Sequence, residues 1–307
     1  MVYRTGLDIN WKVPLLFNND RLAISLLMIS KKLGIKKPFS TVYGRPNNVL
    51  AGGRNSIIKN QMSESEIIKY FKMYNNYGVK CALTLSRMDI SNTNLNDNYL
   101  NSLLSLLNQF FGSVIVSNDY VLDYIKNKYE NLQVCASVIK PIHDKVEDGN
   151  IQYYIQLLKK YDRIVPRPEL FIKGDCYMEL IPYSDCIDIL VNQTCLYDCK
   201  FACAHYEHYE KMEEGYDDGF VTPCQSEKRK LSSINKTVSM DYLFITHLMN
   251  YGFKNFKLQG RNLPIYKILS YLGAYIYEPT GEFRFIESYL LNKKYDNPIN
   301  IDNIVIE

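Results

Sequence analysis

The sequence predicts a single (β/α)8 barrel, and three observations carry that prediction. Short apolar, β-rich runs alternate with helical patterns along most of the chain, and eight such runs can be counted. A helix leading into the next strand within roughly 30 residues, repeated, describes parallel strands joined by right-handed crossovers. The main alternative, an open doubly wound sheet, lacks its glycine-rich dinucleotide fingerprint: AGGRN at 51–55 has the wrong spacing, and no phosphate-loop sequence occurs. Eight strands therefore point to closure into a barrel.

The strands are expected at 7–17, 38–43, 80–85, 113–116, 133–138, 163–165, 188–191 and 255–258. Helices are expected over 21–33, 64–77, 98–110, 120–129 and 151–161. In the second helix Ile67, Ile68, Phe71 and Met73 or Tyr74 recur at helical spacing. Ser63 stands where an N-cap belongs and Gly78 where a C-cap does, and the chain then feeds directly into VKCALTL. The rhythm breaks at 195–239, which holds cysteines, two histidines and the acidic run EKMEEGYDD without a convincing strand. This stretch reads as a cysteine-rich insertion after the seventh strand, within one domain spanning 1–307; long irregular insertions in compact domains are usually functional. A strand-like piece at 274–277 and a helical tail near 285–291 are expected to close or cover the barrel.

Composition narrows the function classes. Of 307 residues 47% are hydrophobic and 22% charged, with 36 Lys+Arg against 33 Asp+Glu, an ordinary globular balance. A formal net charge of +3 argues against a nucleic-acid-coating protein. No run approaches the roughly 18 apolar residues of a membrane span, and MVYRTGLDIN lacks the design of a signal peptide. The expectation is a cytoplasmic protein, in which eight cysteines speak for metal binding, redox chemistry or burial in place of disulfides. The 26 tyrosines reflect an AT-rich coding bias and carry no functional weight.

Barrel chemistry sits at the C-terminal ends of the strands. The positions found there are Tyr43, Gly44 and Arg45, then Arg87, Ser117 and Asn118, Ser137, Arg167, Asn192 and Cys195, and finally Gln259 and Arg261. Arginines at strand ends commonly pair with loop carboxylates. As a group of four on one rim, they equally suit bidentate recognition of an anionic or carbonyl-bearing ligand.

The cysteines divide by context. Cys81 and Cys135 lie in apolar strand runs and belong to the core. Cys176 and Cys186 flank the entry to the seventh strand and are open to either reading. Cys195, Cys199 and Cys203 follow one another at four-residue intervals in QTCLYDCKFACAHYEHY, with Cys224 next in VTPCQ. Clustered thiolates in the cytosol point to an iron–sulfur cluster or zinc, and the lack of a second close Cys pair disfavours a zinc ribbon. In one regular helix Cys195 and Cys203 would stand about 12 Å apart, too far for one compact cluster. Either the segment is partly loop or Cys203 is not a ligand, with Cys186 and Cys176 as substitutes. His205 is a candidate for the reacting site and His208 a polar loop residue. A radical S-adenosylmethionine enzyme is disfavoured, because that motif needs two residues before the third cysteine, where Ala202 stands here, and its cluster loop follows the first strand.

The succession YGRPNNVLAGGR, NDYVLDYIKNKYENLQVCASV, DILVNQTCLYDCKFACAHY, FVTPC and YGFKNFKLQGR resembles the collagenase-like peptidase U32 family across residues 43–261. Similar elements include the unit from Asn118 to Ser137 and the ending Lys257, Gln259, Gly260, Arg261. The strand-end Asn192 followed by Cys195, Cys199, His205 and Tyr206 is similar too. The resemblance implies a barrel and, in several branches, a four-cysteine [4Fe–4S] cluster, which here would fall to Cys195, Cys199, Cys203 and Cys224. Despite the family label, it implies oxygen-independent hydroxylation, with prephenate as an oxygen donor whose carboxylates an arginine rim would suit. Arg45, Arg54, Asn118, Arg167 and Arg261 would then bind substrate, with His205 or Asn192 at the reacting group. The departures are Gln259 where many relatives carry an acidic residue, the extra Cys203, and the lack of the longer C-terminal domain of RNA-acting members, which disfavours a nucleic-acid partner. Two other classes stay open. A metal-dependent peptidase or hydrolase would need activated water, and no His-Glu-x-x-His helix is present. A non-catalytic, cluster-bearing subunit would work with a homologous partner chain.

Overall fold

The computed structural model describes residues 9–32, 34, 36–46, 62–90, 92–147, 149–193, 195–197, 199–213, 216, 219–220, 237–261 and 263–277. Eight parallel strands form one sheet: β1 Asn10–Leu16, β2 Thr41–Gly44, β3 Lys80–Leu85, β4 Ser113–Val116, β5 Gln133–Ala136, β6 Arg163–Ile164, β7 Ile189–Leu190 and β8 Asn255–Lys257. Each predicted strand is present at its predicted place. β1 pairs with both β2 and β8, so the two halves of the chain meet along it. The remaining seam, between β6 and β7, is joined by the parallel bridge of Ile164 with Ile187, where the Asp188 amide donates to the Ile164 carbonyl at 2.9 Å. The sheet thus curls round on itself into a TIM-barrel-like fold.

Strands of this kind are buried on both faces and read as nearly continuous apolar runs. The inward row is a small cluster of Tyr43, Ala82, Ile115, Cys135, Val165 and Leu190. Outward residues such as Val42, Leu83, Val114 and Val134 join the large core under the helices. Those helices are α1 Asp20–Lys32, α2 Glu64–Asn76, α3 Asn98–Gln109, α4 Asp119–Lys128 and α5 Ile151–Lys160, each within a residue or so of its predicted span. The Ser63 cap of α2 is a full capping box: its hydroxyl accepts from the Glu66 amide at 3.3 Å, and Glu66 Oε2 accepts from the Ser63 amide at 2.8 Å. Gly44 closes β2 because any side chain would collide with β1; a Cβ there would lie 2.1 Å from the Leu16 carbonyl oxygen.

Three regions depart from expectation. Between β6 and β7 the crossover is a short helix, Glu169–Ile172, and a 3-10 stretch, Asp175–Cys186, with Pro182 inside it. A proline there removes a backbone donor and disfavours a regular α-helix. The 195–239 segment carries helix α6, Ala202–Glu213, and its two ends are tied together by the bridge of Leu196 with Thr237 and the Val238 amide on the Cys195 carbonyl at 3.1 Å. Helix α7, Tyr242–Asn250, then leads to β8. Ala274 and Tyr275, read from sequence as strand, instead finish helix α8, Ile265–Tyr275, whose buried Ile268, Leu269, Leu272 and Tyr275 repeat at helical spacing. The predicted helical tail near 285–291 lies outside the described residues. Among the described residues no helix is long and apolar enough to cross a membrane.

Candidate functional site at the barrel mouth

The C-terminal ends of the strands surround a cavity of about 80 Å³. Tyr43 of β2, Thr84 of β3, Ser137 after β5, and Lys257, Gln259 and Arg261 at the end of β8 supply its polar wall, while Ile115 and Leu190 supply apolar floor. Tyr206 of α6 lines it as well, so the cysteine-rich segment contributes a wall of the mouth. One water needs about 10–15 Å³ of such space, and the cavity therefore has room for a molecule of several heavy atoms.

Two cations face this space. Lys257 is 7% exposed, with Nζ 4.5 Å from the centroid of the Tyr43 ring. The ring is fixed in turn, because the Tyr43 hydroxyl donates to the Leu258 carbonyl. Burial pushes the Lys257 amine down to about 8, with Lys12 and Arg261 adding to the effect and Cys135 and Asp188 opposing it. Arg261 extends to β3, where Nη1 donates to Thr84 Oγ1 at 2.5 Å. Gly260, at φ 139°, makes the turn that carries the chain from β8 to Arg261, a conformation open to glycine and rarely to other residues.

Next to the cavity the barrel holds a compact charge cluster. Lys12 Nζ lies 2.5 Å and Arg163 Nη2 2.6 Å from the two carboxylate oxygens of Asp188, which is 1% exposed. Burial alone would raise the Asp188 pKa; the two cations outweigh it and hold the carboxyl at about 2. Cys135, packed against this cluster, is pushed up to about 11 by burial and by Asp188, and it stays a thiol.

A second, more open cleft of about 360 Å³ lies between α6 and the loops after β3, β4 and β5. Cys203, Glu207 and Glu210 line one side, with Asn118, His143 and Lys145 opposite. Glu210 Oε1 accepts from the Met88 amide at 2.7 Å, which docks α6 onto the loop after β3. Cys203 Sγ donates to Glu207 Oε1 at 3.3 Å, and burial together with that carboxylate raises its pKa.

Of the residues singled out in the sequence, Tyr43, Ser137, Gln259 and Arg261 line the central cavity, and Asn118 and Cys203 the open cleft. Asn118 also caps α4 through the Tyr120 amide at 2.8 Å and donates to the Met88 carbonyl at 2.9 Å. Asn192 is fully buried and bonded to Gln259, so it stands behind the cavity wall. Arg167 donates to Glu169 at 2.7 Å, and Arg87 to the Asp89 carbonyl at 2.8 Å. Arg45 is 2% exposed at the end of β2, outside the cavity wall. The expected rim of four arginines is thus reduced to one that faces the cavity, because local acceptors take the side chains of two others. His205 packs against Tyr209, ring centroids 4.6 Å apart, and its neighbour Tyr206 is the residue that reaches the mouth. Arg54 and Cys224 lie outside the described residues.

The cysteine segment is part loop, part helix: Cys195 and Cys199 precede α6, and Cys203 lies in its first turn. Among the described residues no three His, Cys, Asp or Glu side chains gather as a metal site requires. With the Cys203 thiol engaged by Glu207, the described donors do not make up a cluster-binding set.

Thr84 is not singled out in the sequence reading, and Lys257 and Tyr206 enter it only among the residues similar to the U32 family, without a site role. Lys257 is the last residue of β8, but the sequence reading carries that strand on to 258, and Tyr206 lies inside the insertion, so neither falls at a strand end as read from sequence, where barrel chemistry is sought.

No protein-family model and no curated protein matches the chain. Solved structures similar to it include the HpcH/HpaI aldolase from Desulfitobacterium hafniense DCB-2, 7% identical with a TM-score of 0.38 over 95% of each chain. A GH113 β-1,4-mannanase is 9% identical with a TM-score of 0.37, over 94% of this chain and 100% of that one. The U32 peptidase Mk0906 is 12% identical with a TM-score of 0.48, and the match covers 86% of this chain and 98% of the peptidase.

Proposed function

We propose that the chain is an enzyme acting on a small anionic substrate bound at the carboxyl ends of its barrel strands. One observation carries this reading: Lys257 and Arg261 both line a small cavity that also offers hydroxyl and amide groups. Two cations facing a low-dielectric space attract a carboxylate far more strongly than they would in water. Arg261 is held by Thr84 and gives a planar fork for a carboxylate. Ser137 and Gln259 supply neutral polar partners for the rest of the molecule, and Tyr206 lines the cavity from helix α6.

The resemblance to the U32 family supports a redox role of the oxygen-independent hydroxylase type, with a [4Fe–4S] cluster on Cys195, Cys199 and Cys224; Cys203, whose thiol donates to Glu207, is the weakest of the four expected ligands. The described donors do not by themselves assemble that cluster. The anion site is tested by titrating the protein calorimetrically with small carboxylates such as oxalate and malonate. A lost charge-assisted hydrogen bond is worth about 1.5–3 kcal/mol, so Arg261→Gln should weaken binding by about tenfold or more. Undiminished affinity in Arg261→Gln overturns the reading.

A further inference from the structure

Two other lysines packed into this fold, one buried and one partly buried, have carboxylate partners. Lys140, 2% exposed, pairs with Asp119 at 3.1 Å and Asp144 at 2.7 Å. Lys12 pairs with Asp188 at 2.5 Å. Lys257 breaks the pattern: among the described residues it makes no ion pair, since Asp188, the carboxylate inside the barrel, is taken by Lys12 and Arg163. Its amine rests instead over the face of Tyr43 and borders the cavity that Arg261 enters. A lysine kept buried without an ion pair among the described residues, beside an open space and a second cation, is placed to act as an amine rather than as a structural charge.

We propose that Lys257 forms an imine with the carbonyl carbon of a small 2-oxo acid whose carboxylate rests on Arg261; this deepens the anion-site reading above and rests on it. The Lys257 nitrogen lone pair forms the C–N bond while the carbonyl π pair moves to oxygen. Loss of that oxygen as water, together with the two protons the neutral amine carried, leaves the imine, with no electrons gained or lost. Ser137 and Tyr206 line the same cavity, and a hydroxyl of either is the group to pass a proton to the departing oxygen. Protonated, the imine is an electron sink for bond breaking at the neighbouring carbon. The depressed amine pKa, at about 8, leaves a usable neutral fraction near neutral pH. The cavity, about 80 Å³, has room for a two- or three-carbon oxo acid.

Glyoxylate with sodium cyanoborohydride is the probe, because reduction fixes an imine as a carboxymethylated lysine that peptide mass spectrometry can locate. On the full-length protein, labelling should concentrate at Lys257, outpace that of exposed lysines such as Lys72 and Lys159 by tenfold or more, and be slowed by oxalate. Lys257→Met, with its folding checked by circular dichroism, should lose only that labelled peptide. Labelling at Lys257 no faster than at exposed lysines, while oxalate still binds in an Arg261-dependent way, overturns the imine and leaves the anion site standing. Failure of glyoxylate and of every small carboxylate to bind overturns the anion site itself.

Discussion

Asn192 and Gln259 are locked to each other across the ends of β7 and β8 by three hydrogen bonds. The Gln259 amide donates to Asn192 Oδ1 at 2.7 Å, Asn192 Nδ2 donates to the Gln259 carbonyl at 3.1 Å, and Gln259 Nε2 donates to the Asn192 carbonyl at 3.0 Å. Asn192 is therefore a positioning residue: it fixes the backbone between Lys257 and Arg261 and turns the Gln259 side chain along the cavity wall. Asn192→Ala strands a buried donor and a buried acceptor, a cost of about 1–3 kcal/mol. Urea denaturation should register that loss, and calorimetry should register weaker carboxylate binding with it. A variant that is destabilised yet binds normally would reduce Asn192 to a purely structural part.

The strands were legible because strands buried on both faces keep their apolar character whatever surrounds them; VKCALTL and SVIV need no tertiary context to be read. The capping box was legible because both of its partners are local, Ser63 and Glu66. The rim was not. A strand-end position brings a side chain to the mouth, but which acceptor it takes depends on the loop that follows. Arg167 meets Glu169 two residues on, whereas Arg261 is turned inward by Gly260 and meets Thr84 from a strand 177 positions away. Helix α6 was hidden for a related reason: its half-buried faces look toward two clefts rather than one core, so no apolar stripe marks it.

Asp188 sits between Lys12 and Arg163, and Asp188→Asn would leave two partly buried cations without their counter-charge. Removing one partner of a buried pair costs about 3–5 kcal/mol. The pH dependence follows from the carboxyl's position near 2 in the folded chain against an ordinary value of 3.8. A depressed folded-state pKa gives stability that is present above the unfolded value and lost as pH falls from about 4 toward about 2. Denaturation curves across that window should show the wild type losing stability that the Asn variant has already lost. Parallel curves for the two proteins would assign the acid sensitivity to other groups.

The iron–sulfur reading makes its own demand on the cysteines. Anaerobically prepared protein should be brown and contain iron, and Cys195→Ala, Cys199→Ala and Cys224→Ala should each deplete it. Cys203 already donates to Glu207 from the first turn of α6, so Cys203→Ala should retain the iron and shift only the open cleft. Ultraviolet–visible spectra with iron analysis decide the matter, and a colourless, iron-free wild type removes the cluster from consideration.

Asp20 carries the opposite pH signature to Asp188. It opens α1, and burial raises its carboxyl from 3.8 to about 7 despite hydrogen bonds from the Tyr74 hydroxyl at 2.6 Å and the Phe17 amide at 3.2 Å. Between those two values the folded chain holds a proton that the unfolded chain has released. Stability is then complete below about pH 4 and declines as pH rises through about 7. Asp20→Asn keeps an acceptor for Tyr74 and Phe17 but cannot ionise. Its melting temperature should exceed that of the wild type at about pH 8, and the two should converge at about pH 4. A difference of equal size at both pH values would trace the effect to packing around Tyr74, because only ionisation of the carboxyl makes the gap open with rising pH.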